Sequence, residues 1–205
     1  MSFNLEKFNK IVNSSKTFMV IGANTADSPD DLFLNKDVEY CVLIEPLPIC
    51  FKKIEERYGN DSRYQLFNCA ITDEDAVLEM YTPDDLNTPL IGSSSLVDYK
   101  RNGIVLALTE INKDPERSKV HVISNTLSSI KKSLKITNYD VLQIDTEGCD
   151  LMVFKQILKN NITFKVLQLE TMWLKPDERQ FINDQLTSIE FKTFDDGFNI
   201  RAYKE

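Results

Sequence analysis

MVIGANTADS at 19–28, VLIEP at 42–46, VLQIDTEG at 141–148 and VLQLET at 166–171 share one design: an apolar run closed by a polar, acidic or glycine-containing turn. Runs of this length, rich in Val, Ile and Leu, read as strands buried on both faces of a parallel sheet. In open α/β sheets the ligand lies beyond the carboxyl ends of the strands. Four such ends predict one shared crevice, with Asn24, Glu45, Asp145, Glu147 and Glu170 at its edge.

Working outward, strands alternate with helices. An amphipathic segment at about 3–14 precedes the first strand, and Ser28-Pro29-Asp30-Asp31 after it has the chemistry of a helix start: a cap, a proline in the first turn and carboxylates at the positive end of the dipole. EYCVLIE is the second strand, and ICFKKIEERYG the helix that follows, stopped by Gly59. YQLFNCAI reads as a third strand, ITDEDAVLEMYTP as a hairpin arm and VHVIS as a further short strand. The Pro-, Gly-, Ser- and Asn-rich stretch between them makes 84–118 a candidate substrate or lid insertion. A helix capped by Asn125 or Thr126, the strand YDVLQID, the helix CDLMVFKQILKN and the strand TFKVLQLE follow. A last helix then leads to a hairpin turning at Asp196-Gly197.

At 205 residues, with no internal repeat or linker, the chain reads as one domain, 1–205. A hydrophobic fraction of 42% and a charged fraction of 27% are ordinary globular values. The net charge of −8 disfavours nucleic acid as a bulk partner, and the Lys- and Arg-bearing segments read as solvated helix faces. Cys41, Cys50, Cys69 and Cys149 have no metal-like spacing and read as reduced thiols. No segment has signal-peptide or membrane-helix character, so the expectation is a cytoplasmic protein that does not span a membrane. The sequence does not set an oligomeric state.

The motifs, in their order, resemble those of the FkbM family of S-adenosylmethionine-dependent methyltransferases, from about Val20 to the C-terminal hairpin. Gly22-Ala23-Asn24 matches the family's turn after the first strand and Glu45-Pro46 its pair ending the second. Asn68-Cys69-Ala70-Ile71-Thr72-Asp73 matches its Asn-x-Ala run, and Ser94-Ser95-Leu96 its Ser-Ser-Leu loop. Leu142-Gln143-Ile144-Asp145-Thr146-Glu147-Gly148 matches its most specific signature. The resemblance implies an α/β fold: a class I methyltransferase Rossmann-like sheet, mostly parallel, with a C-terminal antiparallel hairpin and helices on both faces. The chain departs from the family at Val20, where an Asp is usual, and at Ala26, where a second glycine is usual.

The implied cofactor is S-adenosyl-L-methionine, held by Gly22, Ala23, Asn24, Glu45, Pro46, Asn68, Ala70 and Asp73. Glu45 is positioned to accept both ribose hydroxyls, as acids at the tip of a second strand do in dinucleotide folds. Asp145, Glu147 and Glu170 are the candidate catalytic residues. Either they bind a divalent cation that orients a substrate hydroxyl, or one carboxylate acts directly as base or positioning group. The second is preferred, because displacement at a sulfonium needs in-line placement more than acid–base help. Ser94, Ser95 and Trp173 are expected to contact the acceptor, a hydroxyl on a glycan or polyhydroxylated small molecule. The alternative is a catalytically degenerate binding protein that keeps the fold. An oxidoreductase is disfavoured, since the turn lacks the G-x-G-x-x-G that a pyrophosphate needs.

Overall fold

The computed structural model describes residues 2–83, 94–96 and 117–205. Among these residues ten strands fall into two sheets. In the larger, β1 (Thr17–Ile21), β2 (Tyr40–Ile44), β3 (Tyr64–Phe67), β7 (Asn138–Ile144) and β8 (Thr163–Glu170) run parallel, and the hairpin of β9 (Lys192–Asp195) and β10 (Asn199–Tyr203) completes the order β3-β2-β1-β7-β8-β10-β9. β10 is antiparallel to both its neighbours. This is the mostly parallel sheet with a terminal antiparallel hairpin that the resemblance implies.

Alternation along each strand divides the core in two. Met19, Ile21, Val42, Ile44, Leu142 and Ile144 face the helices α3 (Leu127–Lys131), α4 (Asp150–Lys159) and α5 (Pro176–Ser188). Phe18, Val20, Cys41, Leu43 and Val141 face α1 (Leu5–Ser14), α2 (Pro48–Tyr58) and the turns after β1. A strand covered on both sides has no polar face, which is why these segments read as unbroken apolar runs.

The segment after β1 departs from the sequence reading. No helix starts at Ser28; residues 22–39 form successive turns. Leu32 N–H donates to Gln143 Oε1 at 3.0 Å, and Asn35 takes a left-handed backbone at φ 58°. A side chain of β7 thus takes a backbone donor that a helix would need, and the left-handed residue stops any helix from propagating.

The predicted third strand also divides. Asn68 Nδ2 donates to the carbonyls of Glu45 and Pro46 at 2.8 and 3.0 Å, pinning the chain as it leaves β3. β4 (Ala70–Ile71) then joins a second sheet of order β4-β6-β5, in which β5 (Ala76–Pro83) and β6 (Arg117–Asn125) pair antiparallel. Met80 and Val122 of this sheet pack with Leu47 and Cys50 at the start of α2, so the second sheet walls the carboxyl edge of the first. Apart from 94–96 and 117–118, the 84–118 insertion lies outside the described residues. Among the described residues no helix is long and apolar enough to cross a membrane.

Candidate active site

Beyond the carboxyl ends of β1, β2 and β7 lies a cleft of about 190 Å³. Two turns build its floor, and left-handed backbone concentrates in them: Gly22 (φ 84°), Asn24 (49°) and Ala26 (52°) after β1, and Glu147 (52°) and Gly148 (104°) after β7. Such conformations persist only where surrounding contacts hold them. Gly22 N–H and Ala23 N–H both donate to Ile44 O, while Arg57 Nη1 and Tyr58 Oη donate to Ala26 O. A Cβ on Gly22 would stand 1.7 Å from Asp145 O, so the glycine is required by the approach of β7's end.

Glu45 is 6% exposed at the tip of β2. Its Oε2 accepts Asn24 N–H and its Oε1 accepts Leu47 N–H, each at 2.8 Å. Burial raises its pKa to about 7, against these two hydrogen bonds, with the charge of Asp145 adding to the rise. Pro46, Ala70, Ile71, Met80 and Leu96 supply an apolar wall beside it. The buried Asn24 Oδ1 has no hydrogen-bond partner among the described residues.

On the other side, Asp145, Glu147 and Glu170 bring carboxylate oxygens within 4.8 Å of one another. Water reaches Asp145 through the cleft, yet the protein around it is the main reason its carboxyl titrates above the usual range. Glu170 is raised further, first by burial and then by the charges of Asp145, Glu147 and Asp150, and it hydrogen-bonds Asp145. One proton shared by the pair, resting on Glu170, relieves that repulsion. Trp173 Nε1 donates to Glu147 Oε2 at 2.8 Å, and Ser95 Oγ donates to Glu147 O. Asp150, wholly buried, accepts the N–H groups of Thr146 and Gly148 at 2.8 and 3.0 Å, and so shapes the turn from within.

Of the residues singled out in the sequence, Gly22, Ala23, Asn24, Glu45, Pro46, Ala70, Ser94, Asp145 and Glu147 line the cleft. Asn68 and Ser95 stand behind the lining and brace Glu45 and Glu147. Glu170 and Trp173 reach the cleft through Asp145 and Glu147. Asp73 is exposed, outside the lining, with Gln156 Nε2 at 3.4 Å. Sequence reasoning missed Asp31, Gln143 and Met80, which also line the cleft. For Met80 the alternating arm after Ile71 carried a signal; for Asp31 and Gln143 none existed locally.

Comparison with known proteins agrees with this architecture. The family model described as "Methyltransferase FkbM domain" matches residues 21–200. The crystal structure of a methyltransferase FkbM from Methylobacillus flagellatus KT superimposes with a TM-score of 0.55 at 12% identity, over 93% of this chain and 44% of that one. This chain therefore spans less than half the length of that relative. The TrmK of M. capricolum, solved with S-adenosyl-homocysteine, aligns with a TM-score of 0.44 at 13% identity, over 99% of this chain and 67% of the other. No curated protein matches the chain.

Proposed function

We propose, because this chain belongs to the methyltransferase FkbM family, that it transfers a methyl group from S-adenosyl-L-methionine to a hydroxyl oxygen of a glycan or polyhydroxylated small molecule. One observation carries this reading. Asp31, Glu45 and Asp145 line a single cleft, and none of them has an ion-pair partner among the described residues. Uncompensated anions around a cavity favour a cationic occupant. The donor fits, since it carries a sulfonium and an ammonium beside a ribose and a flat base.

When bound, the donor supplies an electrophilic methyl group on sulfur. Glu45, whose oxygens keep lone pairs beyond the two N–H groups they accept, takes the ribose hydroxyls. The apolar wall of Pro46, Ala70 and Met80 suits the adenine. Asp145 orients the acceptor hydroxyl and receives its proton, while Glu170 shares the charge. Trp173 and Ser95 hold Glu147 in its left-handed turn beside that hydroxyl. The three carboxylates are also close enough to hold a hard cation, but in-line placement of a hydroxyl needs none. A cytoplasmic setting, where the donor is made, suits this reading.

Calorimetry with adenosylhomocysteine, followed by transfer of labelled methyl from adenosylmethionine to a panel of polyols and glycans, tests it. Binding with transfer to a hydroxyl is expected. Binding without transfer to any acceptor favours the degenerate, binding-only reading, and no binding overturns both.

A further inference from the structure

Five acids line the cleft, Asp30, Asp31, Glu45, Asp145 and Glu147, and their surroundings differ. Glu45 already accepts two backbone N–H groups, and Asp145 is hydrogen-bonded to Glu170. Asp31 is 8% exposed and, among the described residues, its carboxylate accepts a single hydrogen bond, from Ser28 N–H to Oδ2 at 3.0 Å. Asp30 is exposed to water and Glu147 accepts Trp173 Nε1, which leaves Asp31 the least compensated of the buried acids of the cleft. It is also held in place by others: Gln143 of β7 accepts Leu32 N–H on one side of it and lies 3.4 Å from Asp30 O on the other. In the sheet register Gln143 stands beside Val20 of β1, so the clamp fixes Asp31 over the carboxyl ends of the two central strands. A core glutamine spent on both neighbours of one aspartate holds a carboxylate where a loop alone would not.

A second orphan lies in the same turn region. Asn24 Oδ1 is buried and without a hydrogen-bond partner among the described residues, and Asn24 lines the cleft with Asp31. A buried acceptor and an uncompensated carboxylate lining one cavity are together suited to a group that carries several N–H donors and a positive charge. A hydroxyl would leave the charge unmet, and a second carboxylate would be repelled.

We propose that Asp31, with Asn24, binds the α-ammonium of the donor's amino-acid end, and so selects ligands that carry a free amino group there. This rests on the methyl-donor reading above and assigns a residue of the turn after β1 to a subsite of its own. Burial and the neighbouring Asp145 hold Asp31's pKa up at about 7 without a ligand, and an ammonium restores the anion.

The test compares two ligands on the full chain by calorimetry. Adenosylhomocysteine carries the ammonium; 5′-methylthioadenosine keeps the nucleoside and the sulfur but lacks the amino-acid end. In D31N the amide oxygen still accepts Ser28 N–H while the charge is gone. We expect adenosylhomocysteine to weaken tenfold or more and methylthioadenosine to stay within twofold, with partial recovery of adenosylhomocysteine binding in D31E. Equal weakening of both ligands, or of neither, overturns the assignment while leaving the donor site standing. If the unaltered chain binds neither nucleoside, the donor reading falls and this one with it.

Discussion

The backbone N–H of Asn24 donates to Glu45 Oε2 at 2.8 Å, joining the turn after β1 to the tip of β2 across 21 residues of sequence. The carboxylate therefore shapes the turn as well as offering lone pairs to a ligand. Glu45→Ala removes both roles, leaving the N–H groups of Asn24 and Leu47 without their acceptor. Affinity for adenosylhomocysteine is expected to fall at least tenfold, and calorimetry reads it directly. Glu45→Gln, which restores one acceptor atom, should recover part of the fold stability and little of the affinity. Unchanged affinity in both variants would remove Glu45 from the site.

The ligand-free protein should lose stability as pH rises through the weakly acidic range. Asp31 and Glu45 ordinarily titrate at 3.8 and 4.5, and in the fold at about 7, so between these values the folded chain holds protons that the unfolded chain has released. Stability from these groups is full below about pH 4 and is lost as pH rises through about 7, by roughly 3 kcal/mol for Glu45. Asp31→Asn removes one share. Urea titrations at pH 4.5 and 8 are expected to show the variant close to the parent at the lower pH and more stable at the higher. A variant that tracks the parent at both would contradict the buried, uncompensated state of Asp31.

Asp145→Asn separates positioning from binding. The hydrogen bonds of Glu45 to the turn after β1 are kept but one anion of the cleft is lost, so donor affinity should fall by less than tenfold, while turnover should fall on the order of 10² to 10⁴ through loss of a proton acceptor. Because enclosure and neighbouring acids raise Asp145 above the ordinary aspartate range, the proposed transfer by the unaltered protein should fall off on the acidic side of neutrality, well before pH 4. A variant with full turnover would rule Asp145 out as the base. If activity of the unaltered protein vanished with a chelator and returned with a divalent cation, the three carboxylates would instead be cation ligands.

The strand ends were legible because burial on both faces leaves a composition no loop would have. β8 spans Thr163–Glu170, the stretch the apolar run predicts, and Asp145 follows β7 at its tip. The turns between 22 and 39 were not legible. Ser28-Pro29-Asp30-Asp31 carries every local sign of a helix start, but Gln143, 111 positions away, takes Leu32 N–H instead. The burial of Asp31 has the same long-range origin, and periodicity holds no trace of it. Asp73 shows the converse: the motif run marks it, while the geometry leaves it exposed. Local sequence reports what an element can be; a contact across the sheet decides where its side chains end.

Gly22 and Ala26 stand four residues apart, both with positive φ, and opposite substitutions should have opposite effects. Ala26 at φ 52° carries a Cβ in a region where it crowds the carbonyl, a strain of roughly 1 kcal/mol, held by Arg57 and Tyr58 on its carbonyl. Its methyl is 1% exposed, so Ala26→Gly gives back some packing while it relieves strain. The net expectation is a gain of about 0.5 kcal/mol or more, seen as a higher urea midpoint at unchanged slope. Gly22→Ala has no such balance: the new Cβ meets the backbone carbonyl of Asp145 at 1.7 Å, and a carbonyl fixed at the end of a central strand cannot withdraw without parting β1 from β7. A loss of about 3 kcal/mol or more is expected. If Ala26→Gly destabilised the protein by a similar amount, the methyl at 26 would matter more for packing than for strain, and the turn would be specific to alanine.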